Sequence, residues 1–154
     1  MQEVKRIFND KYQECEIDQR PEYKLGNIDS PVVYSVDCIF ERPPKQSGSR
    51  CDEFIFFNLN PSSTGIYLVE RKDNHSNNVI KVKEQLQGGA KFIEDFLNND
   101  PATDRQPYDF MPVWVSRGIK QNTRRELIKH RVSLRSKLKP IKHRKVNTTL
   151  PKLA

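Results

Sequence analysis

The chain has 154 residues, about the size of one domain, with 35% hydrophobic and 31% charged residues and a net charge of +7. That composition excludes a chain disordered throughout, and no apolar run approaches the roughly 20 residues needed to cross a bilayer. The opening segment Met1-Gln2-Glu3-Val4-Lys5-Arg6 lacks the apolar stretch of a signal peptide, so a cytoplasmic protein is expected.

The elements follow in chain order. Val4, Ile7, Phe8, Tyr12 and Cys15 recur at spacings of three and four, which predicts a helix from residue 2 to about 16. Arg20-Pro21 and Gly26-Asn27 are turn dipeptides. Residues 31–40 read as a strand rich in β-branched and aromatic residues, and residues 42–50 as a loop. A second strand over 51–59 is built on Phe54, Ile55, Phe56 and Phe57, and a turn around Pro61 leads to a third strand over 66–72. A polar loop over 73–78 precedes a helix over 79–98, whose apolar stripe is Val82, Leu86, Ala90, Ile93 and Leu97. Residues 110–116 form a fourth strand. A short helix over 121–130, capped near Asn122 or Thr123, and brief strands at 132–134 and 140–141 complete the chain, with the last dozen residues read as disordered. The order α-β-β-β-α-β implies an α/β or α+β fold with a mixed central sheet flanked by helices. One domain over 1–138 with a basic, flexible tail over 139–154 is expected.

The three cysteines, Cys15, Cys38 and Cys51, are odd in number and widely spaced, which argues for reduced, partly buried thiols. With no CxxC pair and with His75, His130 and His143 scattered, a zinc site is not expected. From Arg117 onward stand 13 of the 27 basic residues against one acid, Glu126: a local +12 that leaves −5 for the rest. Such asymmetry fits either a polyanionic partner or a solvated tail.

One constellation carries chemistry. In a hairpin folded about Pro61, facing residues have numbers that sum to about 122, which sets Asp52 opposite Glu70. Alternation along the third strand places Leu68, Glu70 and Lys72 on one face and Tyr67, Val69 and Arg71 on the other. Two carboxylates and a lysine together suit a hard divalent cation, with the lysine beside it to stabilise developing negative charge. An ordinary ion pair at a strand end is the plain alternative. On the following helix Gln85 flanks the sheet-facing stripe, whereas Gln87 shares its side with Lys91 and Glu94 and is expected to face water. Gly88-Gly89 weakens that helix by about 1 kcal/mol per glycine, for which a close backbone approach and a kink are both explanations. Asp37 is read on the first strand, either behind the site or at an edge, and Trp114 and Met111 as core.

Cys51-Asp52, the run Gly65-Ile66-Tyr67-Leu68-Val69-Glu70-Arg71-Lys72 and Glu84-Gln85-Leu86 resemble the motif of the PD-(D/E)xK nuclease superfamily over about residues 31–117, with Cys51 where the motif has proline. The resemblance implies a restriction-endonuclease-like fold and Mg²⁺- or Mn²⁺-dependent hydrolysis of phosphodiesters, in DNA by expectation. It implies Asp52 and Glu70 as metal ligands, and Lys72 and Gln85 as further catalytic residues. Arg117, Lys120, Arg124 and Arg125 are the expected nucleic-acid contacts, and a protein partner or homodimer is left open. The alternative is a non-catalytic module that docks on nucleic acid or a larger complex through its basic C-terminal region.

Overall fold

The computed structural model describes residues 3–18, 22–72 and 79–153. The three-and-four spacing of Val4, Phe8 and Tyr12 buries one face of helix α1 (Glu3–Tyr12), which ends in a 3-10 turn at Gln13–Cys15. Two-residue strands follow, β1 (Glu16–Ile17) and β2 (Tyr23–Lys24), and then β3 (Val32–Ser35). The strand expected to reach residue 40 stops at Ser35. The Ser35 hydroxyl accepts from the Cys38 amide and caps a short helix, α2 (Val36–Glu41). Asp37 therefore lies on a helix, paired with Arg50 at 3.3 Å.

β4 (Glu53–Asn60) and β5 (Ser63–Arg71) form the expected hairpin, and α3 (Val79–Asn99) crosses to β6 (Tyr108–Ser116). Then come α4 (Gln121–Ile128), the hairpin β7 (Arg131–Leu134) and β8 (Lys137–Pro140), β9 (Lys142–Lys145) and β10 (Thr148–Thr149). The N-cap position of α4 is Lys120, two or three residues before the expected Asn122 or Thr123, and its side chain makes no capping hydrogen bond. A six-stranded mixed sheet runs in the order β1-β3-β4-β5-β6-β9: antiparallel as far as β5, parallel from β5 through β6 to β9. The α-β-β-β-α-β order stands, with the two-residue strands β1 and β2 and the helix α2 inserted.

One face of the sheet carries the helices. Phe54, Phe56, Ile66, Leu68, Phe110 and Trp114 pack there against α1, α3 and the β7–β8 hairpin, with the Phe8 ring stacked 4.1 Å from Phe56. The other face, with Val33, Ile55, Tyr67, Val69, Val113 and Val115, is covered by Tyr23, Leu25, Ile28 and the final residues Val146, Leu150 and Leu153. The tail expected to be flexible from residue 139 is thus part of the fold: β9 pairs with β6, β10 with β2, and Leu150 is buried. Backbone hydrogen bonds explain why so charged a segment is ordered. Val146 N–H donates to the Ser116 carbonyl and Asn147 N–H to that of Glu22.

The cysteine expectation is also corrected. Cys15 and Cys38, 23 residues apart in sequence, form a disulfide because the 3-10 turn and α2 bring their Cα atoms to 5.5 Å; Cys51 is free and buried. Disulfides persist chiefly in oxidising compartments, which weighs against the cytoplasmic expectation. No helix among the described residues is long and apolar enough to cross a membrane.

The glycine pair in α3 serves close approach. A Cβ on Gly88 would lie 1.8 Å from the Ser49 carbonyl oxygen, and one on Gly89 2.5 Å from Cys51 Sγ. The helix thereby rests directly on the segment leading into β4. Helix propensity alone predicts that Gly88→Ala gains about 1 kcal/mol. We expect instead a loss of about 1–3 kcal/mol, the usual cost of overpacking, read as a lower midpoint in chemical denaturation. Titration of thiols in denaturant is expected to find Cys51 alone before reduction and all three cysteines after it.

Candidate active site

The hairpin pairs Glu53 with Val69, Phe54 with Leu68 and Ile55 with Tyr67, so the expected register holds up to the irregularity near Asn58. One step beyond the ladder, Asp52 stands level with Glu70. Its position is over-determined: Asp52 N–H donates to the Val69 carbonyl at 2.9 Å and its carbonyl accepts from Val36 N–H at 3.1 Å. Its Oδ2 accepts from the Arg71 amide at 2.6 Å.

Glu70 shares the helix-side face of β5 with Leu68 and is 3% exposed, with its Oε1 buried and lacking a hydrogen-bond partner. Its pKa is pushed up to about 8, first by burial, then by the Asp52 charge, to which Asp52 hydrogen bonding and Glu53 add; Lys72 pulls the other way. A carboxyl held neutral at pH 7 beside a second carboxylate is a place where a cation could replace a proton.

Lys72 is fixed by its neighbours on β6. Its amide donates to the Val115 carbonyl at 3.1 Å and its carbonyl accepts from Trp114 Nε1 at 3.1 Å. Its Nζ donates to Gln85 Oε1 at 3.3 Å, which joins the first half of α3 to the end of β5. The four residues expected to act together, Asp52, Glu70, Lys72 and Gln85, are therefore gathered at the carboxyl-terminal end of the parallel strands β5 and β6. Gln87 does not face water as expected. It bonds the backbone of Ser133 in both directions, at 2.8 and 2.9 Å, and pins β7 to α3. Asp73, Asn74 and His75 lie outside the described residues.

On the opposite face, Arg71 reaches Glu53 at 2.9 Å and Glu22 at 3.0 Å, while Tyr23 hydroxyl donates to the fully buried Glu53. A sign of this network was present in the sequence. Glu53 falls on an apolar strand face, and Arg71 is its diagonal neighbour across the hairpin. Arg71 thus holds two sites at once, through its amide to Asp52 and its guanidinium to Glu53.

The expected nucleic-acid contacts lie at the same end of the sheet. Arg117, directly after β6, lines a cavity of about 280 Å³ with Lys72, Arg71 and Glu22. Lys120 opens α4, and Arg124 on that helix lines a second cavity of about 270 Å³ with His143, Arg144 and Lys145; Arg125 is exposed on α4 and lines neither. Ser116 and His143, joined Oγ to Nε2 at 2.7 Å, were not anticipated, because the segment holding His143 reads as unstructured.

Asp52 and Glu70 offer oxygen, the donor a hard cation takes. Among the described residues no group of three or more His, Cys, Asp or Glu is arranged to hold a metal ion. No family model matches the chain, and neither a curated protein nor a solved structure is significantly similar to it.

Linkage sets the pH behaviour. The folded chain keeps the Glu70 proton to about pH 8. The unfolded chain releases it near 4.5. Unfolding free energy therefore falls as pH rises between those values and levels off above them. Glu70→Gln, neutral throughout, is expected to melt higher than wild type at pH 8 and to match it near pH 4.5. A variant less stable at pH 8 would mark the carboxylate as structural.

Proposed function

We propose that this protein is a metal-dependent nuclease of the PD-(D/E)xK type that hydrolyses phosphodiester bonds, with DNA as the expected substrate. The observation that carries the reading is the Asp52–Glu70 pair: two carboxylates level with each other, one with a buried oxygen lacking a partner and a pKa raised to about 8. Setting a buried acid beside a half-buried one is unfavourable for two negative charges unless a proton or a cation lies between them, and Lys72 alone does not restore Glu70 to its ordinary range. Strand register, element order and the reach of Gln85 to Lys72 support the same reading.

Asp52 and Glu70 would hold Mg²⁺ or Mn²⁺, which when bound polarises a phosphodiester and lowers the pKa of a water. The protein's own groups do the rest. Arg71 N–H fixes the Asp52 carboxylate in one rotamer, so the ligand oxygens are set before substrate arrives. Glu70, whose pKa is raised to about 8, would ligate as the carboxylate and so would give up its proton to the solvent when a cation binds. Lys72, steered by Gln85, presents positive charge beside the pair, where negative charge grows on the phosphate oxygens as the bond breaks. Arg117 and Lys120, just past β6, would contact flanking phosphates.

The cations around His143, without an ion-pair partner among the described residues, also favour a second reading, a docking module that needs no carboxylates. Cleavage of labelled linear, nicked and branched DNA in Mn²⁺, with EDTA as control, separates the two. Wild type is expected to cut and Lys72→Ala to lose at least about 100-fold in rate, the usual scale for removing one electrostatic donor. Salt-sensitive binding with no cleavage by either protein would favour the docking module.

A further inference from the structure

The cavity between α4 and β9 has a composition that the proposed chemistry does not use. Its lining is Arg124, His143, Arg144, Lys145, Thr148 and Thr149, without a single acid. Arg124 comes from α4, and the rest from β9 and β10. Their convergence shows in the imidazole: His143 is held down to about pKa 4, first by burial and then by the charges of Arg124, Lys145 and Arg144. All three cations are solvent-exposed, and none has an ion-pair partner among the described residues. Bringing three like charges together is unfavourable unless an anion is to be met there.

Protection of an open sheet edge is the simplest competing explanation, since β9 is the last strand and a run of charged residues blunts an edge. It accounts for Lys142, Arg144 and Lys145. It does not account for Arg124, which reaches the same cavity from a helix.

The cavity is also in line with the carboxylate pair. Glu70 stands beside Trp114 in the β5–β6 register, and Trp114 beside His143 in the β6–β9 register. The Trp114 ring meets the His143 ring edge to face at 5.4 Å, and its Nε1 holds the Lys72 carbonyl. Two strand spacings of about 4.8 Å put the cavity roughly 10 Å from Glu70. Along a duplex axis, where successive pairs rise by roughly 3.4 Å, that is about three steps.

We propose that this cavity seats the terminal phosphate of a nucleic-acid strand, so that the protein acts near strand ends. A terminal phosphomonoester carries about −1.5 to −2 charge against −1 for an internal diester, and a cavity lined by three cations and no acid matches the larger charge better. Thr149 lies within reach of the same group, while Thr148 donates to the Lys145 carbonyl and shapes the turn beneath it. This proposal deepens the nuclease reading and rests on nucleic acid being the substrate.

The test is binding without catalysis. One single-stranded deoxyoligonucleotide is compared by fluorescence anisotropy, in EDTA, with a phosphate on the five-prime end, a phosphate on the three-prime end, or hydroxyls on both. Wild type is expected to bind one phosphorylated form at least about tenfold more tightly than the hydroxyl form, the scale of a charge-assisted hydrogen bond. Arg124→Gln and Lys145→Gln are expected to erase that preference with the melting temperature unchanged, as both residues are exposed. Arg125→Gln, on the same helix but outside the cavity, should weaken all three strands alike. The His143 imidazole resonance should move when the preferred strand is added to wild type and stay in place for Arg124→Gln. Equal affinity of wild type for the three strands would overturn the proposal. Because no cleavage is involved, an end preference without metal-dependent cutting would keep the seat and remove the nuclease, and cutting without an end preference would do the reverse.

Discussion

The hydrogen bond from the Arg71 amide to Asp52 Oδ2 is the constraint on which the candidate site depends. It forms only if β4 and β5 pair in one register, and that register is held by burial on both sides of the hairpin. Phe54, Phe56, Ile66 and Leu68 pack under the helices, and Ile55, Tyr67 and Val69 under the terminal segments. A slip of one residue would send Glu70 to the face of Arg71 and would exchange the two apolar sets, each packed to fit its own cover. The glycine pair of α3 adds a second constraint, since only a bare backbone lets the helix lie on Ser49 and Cys51, just ahead of Asp52.

Much of this was legible because it rests on short-range patterns. Period-two alternation in the hairpin and the three-and-four stripe of α3 located Asp52, Glu70, Lys72 and Gln85 before any coordinates. What was hidden depends on long-range contacts. Val36 to Phe40 has strand propensity, yet the Ser35 cap and burial of Val36, Ile39 and Phe40 make it a helix. β9, Lys142-His143-Arg144-Lys145, has no apolar alternation at all. It is ordered by parallel pairing with β6, a partner 29 residues back from Lys142. The Cys15–Cys38 bond depends on how α2 packs, which spacing alone does not reveal.

The site keeps groups that a purely structural sequence would not need. Glu70 is a buried acid facing another acid, and replacing it with a neutral amide would be expected to strengthen the fold at alkaline pH. Stability given up at one point, with its surroundings firmly pinned, is consistent with the proposed role of the pair. The opposite face makes the contrast. Glu53, equally buried, is answered by Arg71 and Tyr23. One carboxylate on β4 is thus structural, while its neighbour Asp52 is left turned toward Glu70.

In the proposed site the Asp52–Glu70 pair exchanges a proton for a divalent cation. Isothermal titration of the full chain with Mn²⁺ at pH 7, in two buffers of different ionisation enthalpy, tests it without substrate. The account predicts binding with release of a proton, abolished in Asp52→Asn and Glu70→Gln. Mn²⁺ binding that releases no proton or survives both substitutions, or no binding at all, would contradict it.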